Sequence, residues 1–354
     1  MLYGKILRSP HAHAKIVSIN TKKAEAIPGV KAVATANDFP LLANSGIDFS
    51  QVQRNPRMMA ENTLAKNKVL YIGHAVAAVA ANNPAIAEEA LKSIEVEYEV
   101  LPAVVSLKEA MAENAPLLHD NLTTVFREDR FSPGQDTGKK SNIAGHIQFQ
   151  RGDLEKGFKE ADLIIEREFN TETVHQGYIE PFASTADWNN EGRLTIWTCT
   201  QGSFNVRSIT ANILDIPEST VKVIPTEIGG GFGGKGVGYL EPVVAILSKK
   251  SGLPVKITIS RKEVFEGTGP TSATYNKCKI GVTSKGIITA GYHYMAYEAG
   301  AFPGSPVGGG AMTSFGPYKI ENFLVDGYDV VCNKQKVQAY RAPGQPTAAF
   351  AVDN

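Results

Sequence analysis

The chain has 354 residues, enough for two or three domains with cores of their own, and 43% of them are apolar. Lysine plus arginine equals aspartate plus glutamate at 36 each, so no net field favours nucleic acid or an anionic membrane surface as a partner. The three cysteines, Cys199, Cys278 and Cys332, stand far apart with no C-x-x-C pair, which argues against a disulfide framework, a zinc site or an iron–sulfur site and for a reducing, cytoplasmic setting. No apolar run approaches the ~20 residues of a membrane span, and no signal-peptide pattern opens the chain.

The first hundred residues alternate short strands and helices. Met1 to Leu7 enters a strand-like pattern at once, Lys15 to Ile19 and Val30 to Thr35 read as strands, and a short helical segment lies near Lys23 to Ile27. Tyr71 to Ala80 is an apolar run, after which Asn83 and Pro84 supply a helix cap and a proline at the first helical position for a helix continuing to Lys92. Ile94, Val96, Tyr98 and Val100 then alternate as in a half-buried strand. The predicted organisation is a mixed domain over 1–105, a polar linker over 106–141 and a second unit over 142–354. In that second unit Gly152 to Ala161 reads as a helix, and Leu163 to Phe169 and Arg193 to Thr200 as strands. Val221 to Ile224 is a strand feeding a glycine loop, and Val237 to Lys249 is the helix leaving it. Strands follow at Val255 to Ile259, Gly286 to Ala296 and Phe323 to Val331, with a glycine- and proline-rich loop at Gly300 to Ala311. Both ends of the chain lie in structured-looking sequence, as expected of a fragment or of one piece of a split subunit.

The glycine loop, EIGGGFGGKGVGYL over Glu227 to Leu240, nearly spells a P-loop through Gly229, Gly234 and Lys235. Gly236 stands where a P-loop needs a hydroxyl for its magnesium, and the G-x-G-x-x-G match through Gly229, Gly231 and Gly234 is weak by itself. A strand, a glycine loop and a helix still suit an anion or cofactor cradle, because backbone without Cβ atoms approaches a ligand closely and a helix start offers unpaired donors. Gln201, ending a strand in TCTQG, could donate one hydrogen bond and accept another. Arg341 sits in QAYRAPGQP, where it reads either as a surface salt-bridge partner or as a paired anion donor held by Pro343 and Gly344. Glu180 in HQGYIEPFA reads better as a cap or ion-pair member than as a general base, His11 and His13 better as turn packing than as metal ligands, and Cys199 as a small buried hydrophobe. No G-x-S-x-G elbow is present.

RSPHAHAKI, HQGYIEPFA, TCTQG, IGGGFGGK and QAYRAPGQP occur in one order, and that order resembles the molybdopterin-binding large subunits of the xanthine dehydrogenase and aldehyde oxidase family. The resemblance implies an α+β fold, with an α/β hammerhead domain over 1–105 and the first molybdenum-cofactor domain, truncated, over 142–354. It implies the molybdenum cofactor, as molybdopterin or its cytosine dinucleotide, with Gln201, Gly231, Phe232, Gly233 and Arg341 around it and no direct metal ligand in this chain. It further implies a C-terminal cofactor-binding half, iron–sulfur clusters and FAD on partner subunits, and a catalytic glutamate outside this chain, so that the chain alone does not turn over. Purine-oxidising members carry a glutamate where Gly236 stands and an arginine before the equivalent of Pro317-Tyr318, where Gly308, Gly309 and Gly310 are found. The arginine turn also lacks the cysteine of carbon monoxide dehydrogenases, with Ala342 and Pro343 in its place. A small aldehyde, aromatic or N-heterocyclic substrate is therefore expected, thioester-activated ones included. The rival readings are a nucleotide- or phosphate-binding module using the glycine loop, and a non-catalytic assembly subunit.

Overall fold

Leu2, Gly4 and Ile6 of the strand Leu2–Arg8 are buried in alternation with more exposed neighbours, the period-two pattern of a strand with one face on a core. The computed structural model, which describes residues 1–42, 55–129 and 132–354, uses both edges of this strand. One edge pairs antiparallel with Ala75–Ala81, and the other pairs parallel with Val255–Thr258 through Leu2 opposite Val255. The N-terminal segment therefore shares a sheet with a strand from far along the sequence. Among the described residues the strand order is Val221–Pro225, Leu194–Thr198, Ala183–Trp188, Val255–Thr258, Leu2–Arg8, Ala75–Ala81, Val30–Thr35. A smaller sheet joins Lys68–Val69, Ala14–Asn20 and Glu95–Val100.

The chain divides into two compact units, and the division cuts across the expected boundaries. The described residues up to Pro102 together with Gln176–Gly269 make the first unit; Ala103–His175 and Pro270–Asn354 make the second. Inside the first unit the helix Glu241–Ser251 packs on Ala183–Trp188 and on Val30–Thr35, so both sequence segments contribute to one core. Val243, Val244, Ala245 and Leu247 of that helix are wholly buried, and each large apolar side chain so buried contributes about 1.5–3 kcal/mol. The start of the helix Pro84–Lys92 is as predicted: the Asn83 side chain accepts from the Ile86 amide at 2.9 Å, with Pro84 at the first position.

In the second unit the strand order is Leu163–Thr171, Thr274–Val282, Ile288–Gly300, Phe323–Val331, Ile143–Arg151, Thr123–Arg127, Gln135–Lys140. The polar stretch read as a linker is part of this sheet. Thr123–Arg127 runs parallel to Ile143–Arg151 and forms a hairpin with Gln135–Lys140, every residue of which is exposed. An edge strand facing water on both sides carries no apolar alternation, which is why its sequence reads as linker. Met295, Tyr297, Val325, Ile147 and Phe315 centre the core. The segment 300–311, expected as loop, winds into the helix Val307–Thr313 despite its glycines. Both seven-stranded sheets mix parallel and antiparallel neighbours with flanking helices, in agreement with the α+β expectation.

Candidate functional site

The strand Val221–Pro225 delivers the chain to the glycine loop as predicted, but the following helix starts at Glu241 and not at Val237. Gly236 and Gly238 disfavour helix, and the Glu241 carboxylate organises the turn instead. One oxygen accepts from the Tyr239 and Leu240 amides at 3.0 and 3.1 Å, and the other accepts from the Thr198 hydroxyl at 2.5 Å. Burial raises the Glu241 carboxyl above the ordinary carboxylate value while these hydrogen bonds pull it back. The helix start is thus occupied by the protein's own carboxylate. It does not offer the open anion site that the sequence suggested.

Lys235 departs from the P-loop reading just as clearly. Its side chain is fully buried, with Nζ 2.7 Å from Glu180 Oε2 and 3.0 Å from the Glu180 carbonyl, above the rings of Tyr178 and Phe182 at 4.8 and 5.5 Å. A wholly buried ammonium paired with a carboxylate is out of reach of a phosphate, and the nucleotide-binding alternative loses its lysine. Glu180 is the ion-pair member that the sequence favoured. It also accepts from the Gly229 amide at 2.8 Å. Partial burial opposes ionisation of Glu180, but the Lys235 ammonium and the Gly229 amide outweigh it and hold its carboxyl below the usual range.

Gln201 closes the other side of the loop. Its Oε1 accepts from the amides of Gly233 and Lys235 at 2.9 and 3.2 Å, while its own backbone amide donates to the Lys235 carbonyl at 2.9 Å. Two donors facing one end of the side chain require oxygen there, so Nε2 points away from the loop. A Cβ at Gly231 would come within 2.5 Å of Gln201 Oε1, which leaves glycine as the residue that admits this contact. Gly230, Phe232 and Gly233 have φ of +91°, +52° and +103°, and Phe232 is half-exposed. A non-glycine residue at positive φ marks backbone held against its preference. The amides of Gly230, Gly231 and Phe232 have no acceptor among the described residues. Backbone that alternates in this way turns successive amides into a concavity of donors. With Gln201 Nε2 this donor set fits an oxygen-rich, anionic group such as the cofactor that the sequence implies.

Arg341 belongs to the second unit, and its turn is more constrained than proline and glycine alone would make it. Arg341, Ala342 and Gly344 have φ of +33°, +60° and +90°. The Tyr297 hydroxyl, fully buried, donates to the Gly344 carbonyl at 2.9 Å and lies 2.7 Å from Thr347 Oγ1. A Cβ at Gly310 would meet that hydroxyl at 2.6 Å, so the glycines of Val307–Thr313 let this helix press against the turn. The exposed Arg341 guanidinium has no ion pair or hydrogen bond among the described residues, which removes the surface salt-bridge reading. Tyr297→Phe is expected to lower the stability of this unit by about 1 kcal/mol and to accelerate amide exchange across 341–347 selectively; equal exchange in wild type and variant would show that the hydroxyl does not hold the turn.

The remaining candidates take their bland readings. His13 is buried with Nδ1 2.6 Å from the Pro102 carbonyl, and His11 packs edge-on to Tyr98. Cys199 is buried, its sulfur 3.4 Å from the Ala183 amide. No group of three or more His, Cys, Asp or Glu suited to a metal ion occurs among the described residues, and none of their helices is long and apolar enough to cross a membrane. Sequence reading missed Glu241 as the residue organising the loop exit; the Glu241-Pro242 pair, acid and proline in a first helical turn, was its available signal.

A family model described as a molybdopterin cofactor-binding domain matches residues 135–354, and one described as the aldehyde oxidase and xanthine dehydrogenase a/b hammerhead domain matches residues 1–102. The chain belongs to the molybdenum hydroxylase family. It is 31% identical to the nicotinate dehydrogenase large molybdopterin subunit of Eubacterium barkeri, covering 99% of this chain and 76% of that one. It is 30% identical to the xanthine dehydrogenase molybdenum-binding subunit of Escherichia coli O157:H7, covering 100% of this chain and 45% of that one. Among solved structures, quinoline 2-oxidoreductase from Pseudomonas putida 86 superposes with a TM-score of 0.81 at 26% identity over 100% of this chain and 45% of that one. The chain thus spans less than half the length of two of these molybdenum hydroxylase relatives and about three quarters of the third.

Proposed function

We propose that this chain is the portion of a molybdenum-dependent hydroxylase or dehydrogenase subunit that holds one side of the cofactor, within an enzyme that oxidises an aldehyde, aromatic or N-heterocyclic carbon using water. The observation that carries this reading is the donor concavity of the glycine loop. The amides of Gly231 and Phe232, the positive-φ backbone at Gly233 and the outward Nε2 of Gln201 would hold the oxygen ligands of the cofactor. Donors fixed before reaction are most effective where charge changes during it. The family resemblance also assigns Arg341 to cofactor binding, and its guanidinium has no partner among the described residues. When bound, the cofactor supplies the oxidation chemistry, and this chain's residues bind and orient it.

The family's base glutamate matches no position here, so the reading assigns it to a C-terminal half, and electron transfer to partner subunits with iron–sulfur clusters and FAD in the cytoplasm. Relatives named for xanthine, nicotinate and quinoline support an N-heterocycle as the first substrate class to try, whereas Gly236 and Gly308 to Gly310 favour a substrate without a purine's polar anchors. The test is to purify the complete complex, measure molybdenum per subunit and assay pterin fluorescence after denaturation. The expected result is near-stoichiometric metal with a pterin signal. Absence of both, or magnesium-dependent ATP binding in their place, would overturn the proposal.

A further inference from the structure

The glycine loop is tied down from behind by two side chains that no part of the cofactor reading assigns. Glu180 Oε2 receives the Gly229 amide at 2.8 Å and the Lys235 ammonium at 2.7 Å, so a single carboxylate oxygen joins the first and last residues of the stretch Gly229–Lys235. The Glu180 backbone doubles the tie at both ends. Its amide donates to the Gly229 carbonyl at 3.3 Å, and its carbonyl accepts from Lys235 Nζ at 3.0 Å. Lys235 is wholly buried and rests on the Tyr178 and Phe182 rings, whereas Glu180 retains about a third of its side-chain exposure. A lysine costs more to bury than an apolar residue of its length, and the ion pair only partly offsets that cost. A packing residue would satisfy the core better, so the pair calls for another role. Its geometry supplies one: it closes a loop of seven residues at its neck and leaves the amides at the tip, Gly230 to Phe232, without internal acceptors.

Resting on the proposed cofactor role of this loop, we infer that Glu180 and Lys235 are positioning residues that set the register of the cofactor-holding amides. They act through the neck of the loop and touch neither cofactor nor substrate. A loop closed by one charge-assisted contact at both ends holds its tip amides at fixed spacing, and preorganised donors of this kind lose their effect when the supporting contacts are left loose. Removing either charge frees the neck; removing both relieves the unpaired-charge penalty without restoring the tie.

The experiment uses the complete complex and three variants, Glu180→Gln, Lys235→Met and the double variant. Lys235→Met leaves only the partly exposed Glu180 without its partner and keeps an apolar side chain against the Tyr178 and Phe182 rings, so it is the variant best placed to fold. Amide exchange over Gly229–Lys235 is expected to accelerate about tenfold or more in all three, because a hydrogen bond to a charged group is lost, while exchange in Ala75–Ala81 stays unchanged in Lys235→Met and in the double variant. Molybdenum content after purification under limiting cofactor is expected to fall by about tenfold, the usual effect of losing an outer-shell support. Glu180→Gln alone should also lose global protection, because it strands the wholly buried Lys235 ammonium, and the double variant should regain that protection without regaining metal. Unchanged loop exchange, or faster loop exchange with wild-type metal content, would overturn the inference. So would a double variant that recovers molybdenum along with stability, since the pair would then serve folding alone. Absence of molybdenum from the wild type would instead overturn the cofactor role itself, a failure distinguishable because it precedes any substitution.

Discussion

Gln201→Glu is expected to reduce turnover of the assembled enzyme by about 10²–10³-fold, the usual effect of removing one preorganised donor from a site where charge develops. The substitution separates the two ends of this side chain. A glutamate keeps an oxygen for the amides of Gly233 and Lys235, which lie 2.9 and 3.2 Å from Gln201 Oε1, so the loop should remain as protected from amide exchange as in the wild type. It replaces the outward Nε2 by a second acceptor, which would face the oxygen-rich group of the proposed cofactor. Gln201→Ala removes both ends and is expected to lose loop protection and turnover together. Turnover in Gln201→Glu within about threefold of wild type would show that Nε2 donates to nothing that matters for catalysis.

Asp329→Ala should lower the stability of the second unit by about 1–3 kcal/mol for each of the two backbone amides that lose their acceptor. Asp329 and Lys336 are both buried. The carboxylate accepts from the Gly304 and Ser305 amides at 2.7 and 2.6 Å, and Lys336 Nζ donates to the Gly304 and Val337 carbonyls at 2.9 and 3.2 Å. Burial pushes the Asp329 carboxyl up and the Lys336 ammonium down, to about 8. Between about 8 and the ordinary lysine value of 10.5 the unfolded chain binds more protons at Lys336 than the folded one, so this group's contribution to stability grows as pH rises through that window and is lost as pH falls through about 8. Lys336→Met should abolish that part of the pH slope. Trp188 and Trp197, the only tryptophans, lie in the first unit, so denaturant-dependent amide exchange in Phe323–Val331 is the appropriate measurement. A midpoint unmoved by Asp329→Ala would show that water replaces the carboxylate at little cost.

Features governed by neighbours in sequence were legible from the letters. Asn83 followed by Pro84 announced a helix, because the cap and the fixed proline φ act within one turn. Val30–Thr35 and Phe323–Val331 lie where composition placed them. The ordered set of motifs identified the family before any coordinates did, since five short motifs with weak individual meaning rarely occur in one order by accident. The same reasoning failed where a segment's partner was distant. Nothing near Leu2 indicates that its strand pairs with Val255, and nothing in Gln135–Lys140 separates an edge strand bathed by water from a linker.

The site divides along the same line. Gln201, Gly231, Phe232, Gly233 and Arg341 could be nominated from the sequence, since glycine density and the motifs are properties of the chain. The direction in which each group points could not. Lys235 turns inward to Glu180, Glu241 occupies the helix start, and Gln201 presents its nitrogen outward because two amides claim its oxygen. These outcomes depend on hydrogen-bond partners at least 32 residues away for Lys235 and Gln201, and burial makes each of them obligatory once the fold brings the groups together. The sequence therefore determined which residues are candidates for the site, and the tertiary structure decided which of their atoms remain available to a ligand.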